Sequence, residues 1–80
     1  MASDLLERMR GNPAGDWHIR DVEAVCREYS LLFRPGKGTS HCHAKHPSAR
    51  EILTIPARRP IKPVYIRKLV RYIETYGAAQ

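Results

Sequence analysis

The chain has no long apolar segment. No run of apolar residues approaches the roughly 20 that a membrane-spanning helix needs. Residues 1–8 likewise contain no apolar core of the length found in signal peptides. From these two absences we expect a soluble, cytoplasmic protein with no membrane partner.

Cysteines, paired carboxylates and phosphate-binding loops are also scarce or missing. Cys26 and Cys42 are too few and too far apart for a disulfide framework, so we expect both to be reduced and to act as small apolar residues. The few carboxylates form no obvious pair for the chemistry of a metal-dependent nuclease. The sequence contains no G-x-x-x-x-G-K-[ST] phosphate loop.

The length of 80 residues limits the protein to one domain. A domain of this size buries only about 60% of the surface that its unfolded chain exposes. We therefore expect one layer of helices packed on one layer of sheet. This arrangement has no enclosed pocket for a nicotinamide, a flavin or a haem, and we expect no cofactor.

Negative charge is nearly absent from the second half of the chain. Residues 1–32 contain four arginines and six acidic residues, a balance of −2. Residues 33–80 contain ten lysines and arginines and two acidic residues, a balance of +8. This asymmetry predicts that a polyanion or an acidic protein binds the second half. The alternative is that the charge serves only to keep the surface soluble.

The periodicity of the apolar residues predicts a helix at each end of the main domain. Residues 3–10 allow a short helix, which the glycines and proline of residues 11–15 end. We assign residues 1–17 to an N-terminal extension and residues 18–80 to the domain. The first firm helix begins near His18 and carries an apolar stripe at helical spacing, made of Ile19, Val22, Cys26 and Tyr29. The last helix has Pro63 at its first position and Gly77 at its end.

Three short segments between these helices predict β-strands, at residues 31–34, 39–45 and 51–55. Short turns at 35–38 and 46–50 imply an antiparallel meander. The expected fold class is therefore α+β, with the order helix, three-stranded antiparallel sheet, helix. This is the order of double-stranded-RNA-binding domains, in which both helices cover one face of the sheet.

The second predicted strand carries a row of cationic and titratable residues. Alternation along the strand places His41, His43 and Lys45 on one face, and Cys42 and Ala44 on the other. Because Cys42 and Ala44 are small and apolar, we expect them to face the helices and the histidines to face solvent. Such a row could meet a phosphate. The alternative is an ordinary polar strand face.

Ligand-type residues in this strand also raise the alternative of a zinc site. Alternation sends Cys42 away from His41 and His43, and His46 lies beyond them without a C-x2-C or H-x3-H frame elsewhere. We therefore expect no metal. Near the first helix, we expect Trp17 to pack in the core and His18 to be a capping or exposed residue.

A histidine in a basic surface suits metal-free cleavage of RNA. Imidazole titrates near neutral pH, so it can remove the proton of a ribose 2′-OH while an acid protonates the departing 5′-oxygen. DNA lacks that hydroxyl, which confines the mechanism to RNA. The expected phosphate contacts are basic residues of the second half: Lys37, Arg58, Arg59, Lys62, Arg67, Lys68 and Arg71.

Several of these segments together resemble a known family. Gly38-Thr39-Ser40-His41, followed by Lys45-His46-Pro47, resembles the G-[ST]-H-x-x-[FY]-[RK]-[HN]-P signature of HicA-type mRNA interferase toxins. Leu53-Thr54-Ile55-Pro56 and the segment 61–69 resemble the "ITVP…IKPGTLRKIL" segment of the same family. The resemblance runs from about residue 19 to residue 73 in the correct order.

The resemblance implies a double-stranded-RNA-binding-like fold and a metal-independent endoribonuclease that cleaves mRNA. It also implies the toxin of a type II toxin–antitoxin pair, neutralised by a HicB-type antitoxin protein. The catalytic histidine of the family falls on His41, and Gly38 and Ser40 match its active-site turn. Thr39 is an extra residue in that turn, and Ala44 replaces an aromatic residue of the family.

One hypothesis goes beyond the resemblance. His43 lies two residues from His41 on the same strand face, so their Cα atoms should be roughly 6.5–7 Å apart. We expect His41 to be the general base and His43 or Lys45 to act as an acid or a phosphate clamp. Two other classes stay open: a non-catalytic RNA-binding module, and a protein-interaction subunit whose basic face serves an acidic partner.

Overall fold

The structure is a computed structural model that describes residues 4–36 and 41–76. Within these residues the protein is an α+β domain with a three-stranded antiparallel sheet of order β1-β2-β3, which confirms the expected class and meander. The elements, in chain order, are α1 (Asp4–Gly11), α2 (Ile19–Glu28), β1 (Leu32–Pro35), β2 (His41–Lys45), β3 (Leu53–Pro56) and α3 (Pro63–Tyr76). None of the helices in the described residues is long and apolar enough to cross a membrane.

The short helix that the sequence allowed near the N-terminus is α1. Its acidic residues lie in the first turn and its arginines in the last, as the helix dipole favours. Leu6 and Met9 are buried in the same core as the other helices and the sheet. On the surface, Arg10 forms ion pairs with Glu7 and with Glu74 of α3. The N-terminal segment therefore packs as part of the domain.

The two ends of α2 are formed by distinct local hydrogen bonds. At the start, the Asp21 carboxylate accepts the backbone N–H of His18 at 2.9 Å, which satisfies a donor that the helix leaves free. At the end, Leu31 N–H donates to the Cys26 carbonyl at 2.8 Å and Ser30 N–H to the Arg27 carbonyl at 3.3 Å. This pair of bonds is a Schellman motif.

The Schellman motif corrects the predicted start of the first strand. The sequence predicted a strand from Leu31, but Leu31 is buried as the apolar residue of the helix cap, and β1 starts at Leu32. The Leu31 N–H already donates to the Cys26 carbonyl, so it is not available for a hydrogen bond between strands. The predicted third strand is also shifted, because β3 runs from Leu53 to Pro56 rather than from 51 to 55.

The core lies between one face of the sheet and the helices. Ala44 of β2 and Ile55 of β3 belong to the same buried cluster as Val22 of α2 and Leu69 of α3. Because side chains alternate along each strand, the opposite face of the sheet remains uncovered by these helices. Pro63 is the first residue of α3, as predicted.

Tyr72 of α3 makes two hydrogen bonds to the loop between β2 and β3. The Tyr72 hydroxyl accepts the His46 backbone N–H at 2.9 Å and donates to the Glu51 carbonyl at 2.9 Å. The buried His46 ring accepts the Ser48 N–H through Nδ1 at 3.0 Å. These bonds satisfy polar groups that lie away from water.

Candidate functional site

Strand β2 presents His41 and His43 to solvent on the uncovered face of the sheet. Both side chains are exposed, Lys45 is half-buried, and Cys42 and Ala44 between them are buried. This alternation is the one that the sequence predicted. It follows from the pleat of the strand, since the small apolar residues pack against the core and turn their neighbours outward.

The neighbouring strands add two residues beside His43. In the register of the sheet, Arg34 of β1 and Thr54 of β3 lie directly opposite His43. His43 Nδ1 is 3.2 Å from Thr54 Oγ1, a hydrogen-bond distance. Sequence reasoning did not identify Arg34 or Thr54 as neighbours of His43. The only signal in the sequence was the alternation of residues along the flanking strands. Whether Arg34 and Thr54 lie opposite His43 depends on the register of the strands, which the loops decide.

His41 lies at the other end of β2, opposite Pro56, where the sheet borders a cleft. The cleft has a volume of about 720 Å³. Three of the predicted phosphate contacts line it together with His41, namely Arg58, Arg59 and Lys62. All three basic side chains are on exposed residues. The structure thus brings His41 and three cations to one concave surface.

The rest of the cleft lining is mostly apolar and comes from three segments. Tyr65 of α3 and three prolines, Pro56, Pro60 and Pro63, supply most of it. The N-terminal segment contributes Ala14 and Gly15, which sequence reasoning did not assign to any site. No local pattern marked these two residues.

Two hydrogen bonds of Trp17, one through its backbone and one through its side chain, explain why the N-terminal segment reaches the cleft. Ile61 N–H donates to the Trp17 carbonyl at 2.8 Å, which joins this segment to the chain before α3. The buried Trp17 indole N–H donates to the Asn12 carbonyl at 2.8 Å. A Cβ on Gly15 would lie 3.1 Å from that indole nitrogen, so the close turn suits glycine. The core packing expected for Trp17 is what the structure has.

Asp16 holds one of the cleft arginines. Its Oδ2 lies 3.5 Å from Arg59 Nη2 and 3.3 Å from His18 Nε2. The hydrogen bond from His18, and then the charge of Arg59, hold the pKa of the Asp16 carboxyl below its ordinary value. Both partners stabilise the ionised carboxylate, which forms an exposed ion pair with Arg59 at the cleft.

The remaining predicted phosphate contacts on α3 lie elsewhere. Arg67 and Arg71 line a separate groove of about 370 Å³ between α1 and α3, which also includes Arg10 and Glu74. Lys68 is connected to the cleft only through Tyr65, since its Nζ lies 5.9 Å from the centre of that ring. Five of the seven predicted phosphate contacts are therefore divided between two surfaces, the cleft and the groove between α1 and α3.

Three predicted site residues, Lys37, Gly38 and Ser40, lie outside the described residues. Within residues 4–36 and 41–76, no three His, Cys, Asp or Glu side chains form a group that could hold a metal ion.

Burial raises the pKa of the Cys26 thiol to about 12. A thiol with so high a pKa is a poor nucleophile at neutral pH.

Comparison of this chain with known protein families, with curated proteins and with solved structures gave no match. The function of the site is therefore inferred from its own residues and geometry. The feature that any functional proposal has to explain is one exposed histidine at a cleft with Arg58, Arg59 and Lys62.

Proposed function

We propose that the protein is a metal-independent endoribonuclease that cleaves mRNA, with His41 as the general base. The observation that carries this proposal is the shared cleft of His41, Arg58, Arg59 and Lys62. An imidazole supplies a base at neutral pH, and the cations supply a binding surface for phosphates. A merely solvated basic surface would not require a histidine inside a concave site.

In the proposed reaction His41 removes the proton of a ribose 2′-OH in the cleft. The 2′-oxygen then forms a bond to the adjacent phosphorus, and the bond from phosphorus to the 5′-oxygen breaks. A general acid protonates the leaving 5′-oxygen, so the products are a 2′,3′-cyclic phosphate and a 5′-hydroxyl. General acid–base catalysis of this kind contributes roughly 10²–10⁴-fold to the rate.

The cations of the cleft are proposed to bind the reacting phosphate. Arg58 and Arg59 carry guanidinium groups that can donate two hydrogen bonds to one phosphate, and Lys62 adds a compact charge. These groups would stabilise the extra negative charge that develops on the phosphoryl oxygens during attack. Asp16 would keep Arg59 in position without neutralising the other two cations.

His43 and Lys45 remain candidates for the helper role. Both lie on the same face of β2 as His41. Neither is among the residues that line the cleft. His43 is close to Thr54, and Lys45 Nζ donates to the His46 carbonyl at 3.4 Å. A helper role would therefore require these side chains to turn toward the phosphate when RNA binds.

The wider biological role that we propose is that of a cytoplasmic HicA-type toxin neutralised by a HicB-type antitoxin. Two features support it. From α2 onward the order is helix, three antiparallel strands, helix, which is also that of a double-stranded-RNA-binding-like domain. The formal net charge of +6 suits both an RNA substrate and an acidic partner protein.

The test is cleavage of a single-stranded RNA by the purified protein in EDTA. We expect cleavage that yields cyclic-phosphate ends and leaves the matching DNA intact. His41→Ala should lower the rate at least about 100-fold, since it removes the general base, while the melting temperature stays unchanged.

RNA that is bound in a salt-sensitive manner but never cut would contradict the nuclease proposal and favour a non-catalytic RNA-binding module. No salt-sensitive binding at all would favour a protein-interaction subunit.

His43→Ala is the matched variant, because His43 is the other exposed histidine of β2. If His43 is the helper, its removal should slow cleavage by about tenfold or more. Cleavage at the wild-type rate would contradict the two-histidine mechanism and leave the role of His41 intact. In cells, growth arrest on induction should disappear with His41→Ala and with co-expression of a HicB-like protein encoded by the adjacent gene.

A further inference from the structure

The apolar part of the His41 cleft has no role in the reaction described so far. Tyr65 and the three prolines lie in the same cleft as the cations. Phosphate binding and proton transfer need charge and imidazole, and neither needs an aromatic ring. An aromatic ring next to phosphate-binding cations is the combination on which proteins stack the bases of single-stranded nucleic acids.

We propose that Tyr65 forms a base-stacking subsite for one unpaired RNA nucleotide beside His41. This inference rests on the proposed function for its ligand, RNA. It adds a residue to which no part of the sequence reasoning gave a binding role. The base would lie against the Tyr65 ring and the prolines, with the flanking phosphate toward Arg58, Arg59 and Lys62.

The Tyr65 ring is held in place by the packing of α3 against the core. The residue lies in the first turn of α3, where its N–H donates to the Lys62 carbonyl at 2.9 Å. Its side chain is half-buried and packs against the core at one side, while it also lines the cleft. The ring therefore needs little additional ordering when a ligand binds, which lowers the entropic cost of stacking.

The polar end of Tyr65 has no partner among residues 4–36 and 41–76. Within the described residues the Tyr65 hydroxyl makes no hydrogen bond. The Tyr72 hydroxyl, by contrast, holds a loop against α3. The Lys68 ammonium lies over the Tyr65 ring, 5.9 Å from its centre, and adds a positive charge on that side of the ring.

The size of the cleft favours an unpaired nucleotide over a duplex. A volume of about 720 Å³ lies within the range of pockets that hold small-molecule ligands. The bases of an RNA double helix are stacked on one another, so a paired base could reach Tyr65 only by leaving the helix. The subsite therefore predicts a preference for single strands and open loops.

The experiment measures binding of a short fluorescently labelled single-stranded RNA to the full chain in the His41→Ala background, which keeps the RNA intact. Tyr65→Ala and Tyr65→Leu should each weaken binding about 5- to 100-fold, because both remove the aromatic face. Tyr65→Phe should stay within about twofold, because it retains the ring. Tyr29→Ala, which truncates another half-buried tyrosine outside the cleft, is the matched control and should leave affinity unchanged.

An abasic RNA separates stacking from a structural role of Tyr65. When the base that would stack on Tyr65 is missing from the RNA, the protein with Tyr65 and the Tyr65→Ala variant should bind this RNA equally. If Tyr65→Ala weakens abasic and intact RNA by the same factor, or if it weakens neither, the subsite is contradicted. A duplex that binds as tightly as the single strand and depends equally on Tyr65 would also overturn it.

Failure of the subsite and failure of the nuclease give different results. Wild-type protein that cuts RNA while Tyr65→Ala binds normally contradicts only the subsite. Wild-type protein that never cuts RNA, yet loses base-dependent affinity on Tyr65→Ala, contradicts the nuclease and supports the subsite. The melting temperature of each variant, measured beside its affinity, identifies any loss that comes from unfolding.

Discussion

Ser30 has a left-handed backbone conformation, with a φ of 62°. It follows the C-cap residue Tyr29 of α2, at the position where the Schellman motif usually has glycine. We predict that Ser30→Gly raises the free energy of unfolding by about 0.5–1 kcal/mol, because glycine adopts this conformation without the steric cost of a Cβ. Urea denaturation measures the change. Ser30→Ala keeps the Cβ, so a gain of the same size in that variant would contradict the explanation.

Asp16 gives one residue-scale prediction for the effect of pH. Because its folded-state pKa lies below the ordinary value of 3.8, the carboxylate stabilises the fold above that pH. This contribution is lost as pH falls through the folded-state pKa. Wild type should therefore be more stable than Asp16→Asn at pH 7, and the gap should narrow as the pH falls below 3.8 and through the folded-state pKa. A gap that is independent of pH, or that survives high salt undiminished, would contradict the ion-pair account.

At the scale of elements, the Tyr72 hydroxyl joins α3 to the backbone of the loop after β2. We predict that Tyr72→Phe lowers the free energy of unfolding by about 1–3 kcal/mol, because it leaves the His46 N–H and the Glu51 carbonyl without this partner. Tyr76→Phe is the matched control. Its hydroxyl donates to the exposed Glu51 carboxylate, which water can solvate, so its loss should cost less. Equal losses in thermal denaturation would contradict the assigned role of Tyr72.

The elements that could be predicted from the sequence are those whose pattern is local. The alternation of Cys42 and Ala44 with the histidines predicted which face of β2 is buried, and Pro63 predicted the start of α3. The beginning of β1 could not be predicted in the same way. An apolar Leu31 suits a strand or a helix cap, and the choice depends on a hydrogen bond to Cys26 that forms only in the folded chain.

At the scale of the whole molecule, an arginine of the cleft and an exposed arginine outside both basic surfaces should differ in their effect on RNA binding. Each phosphate contact in single-stranded RNA contributes about 0.7 to the slope of log affinity against log salt. Arg58→Ala should therefore weaken binding and reduce the slope by about 0.7. Arg50→Ala removes an equal charge outside the cleft and is the control. If both variants change the slope alike, binding reflects net charge alone and the cleft has no special part.

At this scale the site could be predicted only in part. The basic residues and His41 are visible in the sequence, but their division between the cleft and the α1–α3 groove is not. That division depends on where α3 lies relative to α1, which only the packing of the core decides. Ala14 and Gly15 were missed for the same reason, since it is the contact of Trp17 with Ile61 that brings their segment to the cleft.

The cleft is lined by residues from Ala14 to Tyr65, which lie far apart in the chain. A nascent chain of this protein cannot complete the cleft until α3 has left the ribosome, because Tyr65 lines the cleft and the buried residues of α3 belong to the core on which the earlier segments pack. A truncated product that stops before α3 would carry His41 and the three cations of the cleft, but it would lack Tyr65 and the helix that completes the core. The ability to carry out the proposed reaction should therefore arise late in synthesis, together with completion of the core.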